Sequence, residues 1–312
     1  MSSPQPPQRS RPSGAQAGFA MAVASMSTVQ LGSALTVPLF GQLSALGTAG
    51  LRLGWAGLLL LVLVRPRRRD FTASDLLACT VLGAATAGMM VFFMLALDRL
   101  PLGTASALEF LGPLAVSLFG PGHGRRTWTA AAAIGVVLLT EPWHGGLDAL
   151  GAVYALSAAV CWAAYILLTQ RVGDRVTGLK GLALSMPVAG VLGMLIAAPA
   201  VSAHITWPTL WIMLALAALS PVLPFALEFL ALRRLTTSAF GTLMSLEPAI
   251  AMLVGLLVLG QTPALAPAAG IAFVVAAGIG ATRAGTRRPP VPSGSPLPDT
   301  GSTRPNAAPS EA

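Results

Sequence analysis

The stretch LPFALEFLALRRLTTSAFGTLMSLEPAIAMLVGLLVLGQTP, Leu223–Pro263, holds two apolar runs joined at Arg233-Arg234, and each run carries a glutamate, Glu228 and Glu247. It is too long and too apolar for the core of an ordinary soluble domain. Displacing the sequence by 135 positions lays Ala96–Leu100 (ALDRL) over Ala231–Leu235 (ALRRL), Pro113 over Pro248 and Gly135 over Gly270. The chain therefore contains the same unit twice.

Composition gives the same class for the whole chain. Of 312 residues, 54% are hydrophobic and 10% charged, with a mean hydropathy of +0.74, against about 25% charged residues in a soluble globular protein. A polytopic all-α membrane protein fits. The net charge of +8 does not mark a nucleic-acid binder, because the basic residues sit in short clusters between apolar runs, where they set orientation. Cys79 and Cys161 both lie inside apolar runs without CxxC or histidine spacing and read as packing residues, not as a disulfide or metal site.

Ten apolar runs follow one another: 17–40, 46–64, 76–97, 102–119, 127–140, 150–168, 181–201, 210–232, 238–259 and 264–281. Most approach the ~20 residues needed to cross ~30 Å of hydrocarbon. The fifth is short, so either Trp128 and Trp143 anchor an extended span at the interfaces or the bilayer thins around it. Residues 1–16 and 284–312 are rich in Pro and Ser and read as disordered cytoplasmic tails. The first apolar run is longer than the roughly 7–15 residues of a signal-peptide core, so no cleavage is expected there.

Charge orients the spans. With the N-terminus inside, the inner segments hold Arg9 and Arg11, Arg65 and Arg67–Arg69, Arg125 and Arg126, Arg171, Arg175 and Lys180, Arg233 and Arg234, and Arg283, Arg287, Arg288 and Arg304. Both termini are then cytoplasmic. Five spans return the chain to the opposite face, so the second unit enters the membrane upside down. The expected architecture is ten transmembrane helices as two inverted five-helix repeats, residues 17–141 and 147–283, which suits alternating access around a midplane site.

PLGTASALEFLGPLAVSLFG (Pro101–Gly120) and RLTTSAFGTLMSLEPAIA (Arg234–Ala251) resemble the paired signatures of the EamA family in the drug/metabolite transporter superfamily, most closely its threonine/homoserine exporter branch. The resemblance covers roughly residues 19–282 and implies a bacterial inner-membrane carrier that exports small amino acids. No phosphate-binding loop, HExxH, GxSxG or CxxC motif is present, so the chain reads as neither an ATPase nor another enzyme, and no cofactor is expected. Protons are the expected coupling ion. The alternative is a broad-specificity carrier for drugs or cationic metabolites, which a more negative, more aromatic pocket would favour.

Ionisable residues within spans mark functional positions, since burying a charge in the bilayer costs at least a few kcal/mol. Four stand out: Arg52, Glu109, Glu228 and Glu247. Glu109 aligns with Met244, three positions before Glu247, so the two carboxylates are expected on equivalent helix faces beside the kink prolines Pro113 and Pro248. They are the candidate proton-coupling residues, and with Arg52 the candidate substrate ligands. Arg52 and Glu109 lie at similar depth and can either pair with each other or clamp a substrate. Glu228 is closer to Arg233-Arg234 and reads as half of an interfacial salt bridge. Gln30, in a polar first span with Ser25, Ser33 and Thr36, and Trp162 with Tyr165 in the sixth, complete the candidate substrate-binding set. His123, His144 and His204 lack metal-ligand spacing. Single cysteines at Gly122 and Gly173 are expected to resist a membrane-impermeant thiol reagent added outside, and one at Gly146 to react; reversed labelling would overturn the inverted-repeat reading.

Overall fold

The computed structural model describes residues 14–67, 71–119, 125–141, 148–173, 180–201, 205–232, 234, 240 and 243–284. Every regular element among them is helical. The expected tails lie outside the described residues, except that Gly14–Gln16 already belong to the first helix and Ala284 to the last.

Helix α1 (Gly14–Thr36) passes through a 3-10 turn, Val37–Leu39, into α2 (Phe40–Val64). Ser44 leaves the helical region at φ 60° and ψ 165°, and its Oγ accepts the Gly47 N–H at 3.2 Å, so the helix restarts there under a serine cap. Helix α3 (Ala73–Leu97) begins with a reciprocal capping box between Thr72 and Asp75. The fourth apolar run is two helices, α4 (Leu102–Glu109) and α5 (Leu111–Phe119), broken at Phe110. Pro113 has no N–H to offer the Glu109 carbonyl, and the helix yields at that point.

The second half runs parallel to this description. After α6 (Arg125–Thr140) come α7 (Ala149–Gly173), α8 (Lys180–Val201) and α9 (Trp207–Ala217). A single π-helical turn, Ala218–Val222, with Ser220 extended at φ −157° and ψ 108°, connects α9 to α10 (Leu223–Leu232). Next are α11 (Glu247–Leu259) and α12 (Leu265–Ala284). The expected ninth span is thus not one continuous helix: the chain turns at Ser245–Leu246, and Pro248 lies in the first turn of α11, not at a mid-helix kink. Glu247 and Met244 therefore flank a break, and the shared-face argument based on their spacing does not hold. The break coincides with the donor that Pro248 cannot supply to the Met244 carbonyl.

Glycines bring backbones into contact where helices cross. The main pairs are α2 with α8, α3 with α7, α6 with α12, α1 with α10 and α4 with α11. A Cβ on Gly50 would stand 2.7 Å from the Gly193 carbonyl oxygen, and one on Gly57 2.8 Å from that of Met186, so α2 and α8 touch along a strip of small residues. Gly135 and Gly270 face each other reciprocally, each Cβ position lying 2.9 and 2.8 Å from the other's carbonyl oxygen. The Trp128 ring fills the space above Gly280 and packs on the main apolar cluster, so its role as an interfacial anchor is not what the structure displays; Trp143 lies outside the described residues.

Exposure follows an order opposite to that of a soluble protein. Leu265, Leu257 and Val160 are 91%, 80% and 70% exposed, whereas the side chains of Arg52 and Gln30 are each 1% exposed. Four helical runs among the described residues are long and apolar enough to cross a membrane: Gln16–Val64, which contains the α1–α2 bend, Ala73–Leu97, Ala149–Thr169 and Lys180–Pro199. Trp207 and Trp211 project from the start of α9 in the manner of interfacial anchors. Outside the spans, Arg99 bridges to Asp148 at 2.8 Å; the Gly151 N–H and then Arg99 hold the Asp148 carboxyl below the usual carboxylate range.

Because the Gly135–Gly270 contact leaves no room for a side chain, Gly270→Val is expected to cost about 1–3 kcal/mol through overpacking. Thermal unfolding in detergent should show a lowered midpoint for Gly270→Val and little change for Gly41→Val, whose Cβ would meet nothing within 4 Å.

Candidate functional site

Helix α1 carries no ionisable side chain, yet it supplies a hydrogen-bond partner to three of the four ionisable residues singled out within the apolar runs. Ser25 Oγ donates to Glu228 Oε1 at 2.9 Å, Gln30 Nε2 donates to Glu247 Oε1 at 3.1 Å, and Thr36 Oγ1 accepts from Arg52 Nη1 at 3.4 Å. These residues span about 16 Å along the helix axis. They form a polar ladder, with Glu228 at one end, Glu247 in the middle and Arg52 at the other.

The ladder faces a cavity of about 170 Å³. All six residues expected to bind substrate, Gln30, Arg52, Glu109, Trp162, Tyr165 and Glu247, lie on its wall. Glu247 and Glu109 are 6% and 8% exposed. Gln30 also reaches Ser106 Oγ of α4 at 3.4 Å, which ties α1 to both carboxylate-bearing helices. Phe110 meets Trp162 edge-on with ring centroids 6.2 Å apart, fixing the indole from behind. Among the described residues three buried polar atoms, Gln30 Oε1, Arg52 Nε and Glu247 Oε2, have no hydrogen-bond partner. Unpaired groups of this kind are costly to bury and are available to a ligand.

Two contacts that the sequence raised, the first as one of two alternatives, are absent. Arg52 does not pair with Glu109; its Nη2 donates instead to the Ser220 carbonyl oxygen at 3.1 Å and to Ser220 Oγ at 3.0 Å. The reason lies in α10: the helical donor for the Ser220 carbonyl would be residue 224, which is Pro224, so that carbonyl is free to accept from the guanidinium. Glu228 does not bridge to Arg234, whose Nη1 points to the Leu230 carbonyl oxygen and Met21 Sδ; Arg233 lies outside the described residues. Glu228 instead turns inward and lines the cavity. Sequence reading also missed Ser220 and the apolar lining of Met89, Met90, Phe93 and Met244. The Ser-Pro pair within an otherwise apolar run was the available signal for Ser220, whereas the methionines carried none. Among the described residues no group of three His, Cys, Asp or Glu side chains can hold a metal, and the three histidines lie outside them.

Residues 149–282 match the model of the EamA-like transporter family. The threonine/homoserine exporter RhtA of Salmonella typhimurium is 37% identical over 273 residues, covering 85% of this chain and 91% of that protein. The chain belongs to the EamA-like transporter family. The transporter is equally close, at 37% identity, to RhtA of Escherichia coli K12, over 82% of its own length and 88% of the relative's. A solved crystal structure 20% identical to it shares the fold, with a TM-score of 0.54 over 85% of this chain and 97% of that one. The resemblance carried by Pro101–Gly120 and Arg234–Ala251 is thus to the right family, although the family model itself covers the second half.

Loss of the Ser220 hydroxyl removes one hydrogen bond to a buried guanidinium. Ser220→Ala is expected to destabilise the transporter by about 1.5–3 kcal/mol, read as a lower thermal midpoint in detergent; an unchanged midpoint would mean that the Arg52 contact to the carbonyl alone holds α2 to α10.

Proposed function

We propose that this transporter exports small amino acids of the threonine and homoserine type from the bacterial cytoplasm, in exchange for protons, by alternating access across the inner membrane. The observation that carries this reading is the convergence of Arg52, Glu109 and Glu247 on one cavity with Gln30, Trp162 and Tyr165. An amino acid brings an ammonium and a carboxylate into a region where neither can stay unpaired. Arg52 offers the carboxylate a planar fork, and Glu247 or Glu109 receives the ammonium. The names of the relatives at 37% identity point to the same substrates.

The architecture proposed for this is ten spans in two inverted repeats with both termini cytoplasmic. The packing supports it. Contacts of α2 with α8, α4 with α11 and α6 with α12 join helices at equivalent positions of the two units, and α1 packs on α10 and α11 as α7 packs on α3 and α4. The arginine-rich inner segments support the orientation.

One observation favours a second reading. With Glu228 on its wall, the cavity holds three carboxylates and one guanidinium beside Phe93, Trp162 and Tyr165, a composition suited to organic cations. Counterflow in proteoliposomes separates the two: exchange of labelled threonine or homoserine supports amino-acid export, and exchange of organic cations without amino acids replaces it. Glu247→Gln preserves the size and hydrogen bonding of the side chain but removes its ionisation. It is expected to insert and fold while losing proton-driven export; normal pH-dependent export by this variant would exclude Glu247 as the proton site.

A further inference from the structure

Glu228 is left without a task by the exchange just described. An α-amino acid held at Arg52 has its ammonium nitrogen two bonds from its carboxylate carbon, so it reaches Glu247 or Glu109 but not the far end of the ladder. Ser25 and Gln30 are five positions apart on α1, which puts the Glu228 carboxylate about 7 Å along the axis from that of Glu247. Glu228 lies four residues from the end of α10 at Leu232, the end that carries the arginine pair. The cavity that both carboxylates line has room for several waters at about 30 Å³ each.

Among the described residues no fixed cation stands against Glu228. The Ser25 hydroxyl of α1 donates to it, and Tyr165 from α7, Glu109 from α4 and Glu247 from α11 line the same cavity. On its own helix Arg234 is turned away to the Leu230 carbonyl, and Arg52 is engaged with Ser220 at the opposite end. A part-buried carboxylate with such neighbours is a poor structural brace, because its charge is not balanced by any of them. A proton balances it.

We infer that Glu228 is the proton exit of the transporter, receiving through water the proton that an incoming substrate ammonium displaces from Glu247 and releasing it at the cytoplasmic end. This rests on the proton-exchange reading above. Only O–H bonds change: the Glu247 carboxylic acid loses its proton to water, water protonates the Glu228 carboxylate, and Glu228 delivers the proton to cytoplasmic water. Ser25 acts as a positioning residue that keeps the carboxylate on the cavity wall.

The test uses the full chain in liposomes and compares Glu228→Gln with wild type in two assays. Threonine counterflow at equal pH on both sides requires substrate binding and alternation without net proton movement; accumulation driven by a pH gradient requires the exit path. Glu228→Gln is expected to retain counterflow and to lose gradient-driven accumulation by roughly a hundredfold. Glu228→Asp, which keeps an ionisable group, is expected to restore accumulation in part. Gradient-driven accumulation by Glu228→Gln at the wild-type rate overturns the proposal, as does equal loss of both activities in Glu228→Gln and Glu228→Asp, which would make the carboxylate a structural or substrate-binding group. A substrate-free arm separates this from the exporter reading: infrared difference spectra of the purified protein across a pH titration should show a carboxylic-acid band that Glu228→Gln removes. If wild type shows no threonine counterflow but the band is present, the substrate assignment fails and the proton site stands; if the band does not change in Glu228→Gln, the proton site fails.

Discussion

Proline cannot donate a hydrogen bond to the carbonyl four residues before it, and three of the residues on the cavity wall owe their position to that deficit. Glu109 precedes Pro113 by four, Ser220 precedes Pro224 and Met244 precedes Pro248, and each of the three lies at or next to an interruption of its helix. Within a bilayer no water is available to satisfy such carbonyls, so irregular backbone is tolerated where protein or an internal cavity takes over. Here the Arg52 guanidinium does so for Ser220. The cavity is therefore not a gap between otherwise regular helices. It lies where three helices are prevented from being regular, and the polar groups needed there are supplied by α1 and α2.

That origin explains what the sequence made legible. Arg52, Glu109, Glu247 and Gln30 stood out because a polar side chain in a long apolar run must be paid for by a partner, and the structure places all four on one cavity with Trp162 and Tyr165. The reading of two repeated units rested on Pro113 with Pro248 and on Gly135 with Gly270, because backbone constraints leave sharper marks in sequence than packing does. Their use as kinks was read less well: one proline interrupts a span between α4 and α5, and the other lies in the first turn of α11.

Direction was the information missing. Proximity in sequence to Arg233-Arg234 suggested that Glu228 faces the membrane surface, but a helical residue four positions from a helix end can face either way, and α10 turns this one toward Ser25. Depth alone likewise placed Arg52 beside Glu109. The choice between Glu109 and Ser220 as its partner depended on an unoccupied carbonyl that the spacing of Ser220 and Pro224 creates, a pattern that becomes meaningful once the π-helical turn carrying Ser220 is known to pack on α1 and α2.

The reciprocal contact of Gly135 and Gly270 also bears on movement. If the two units interchange conformations about an internal two-fold axis, a pair of equivalent residues in mutual contact straddles that axis, and points on an axis are displaced least by the interchange. The seam between α6 and α12 would then be a fulcrum of the molecule. A side chain added at the fulcrum would stiffen or block the motion without touching the cavity.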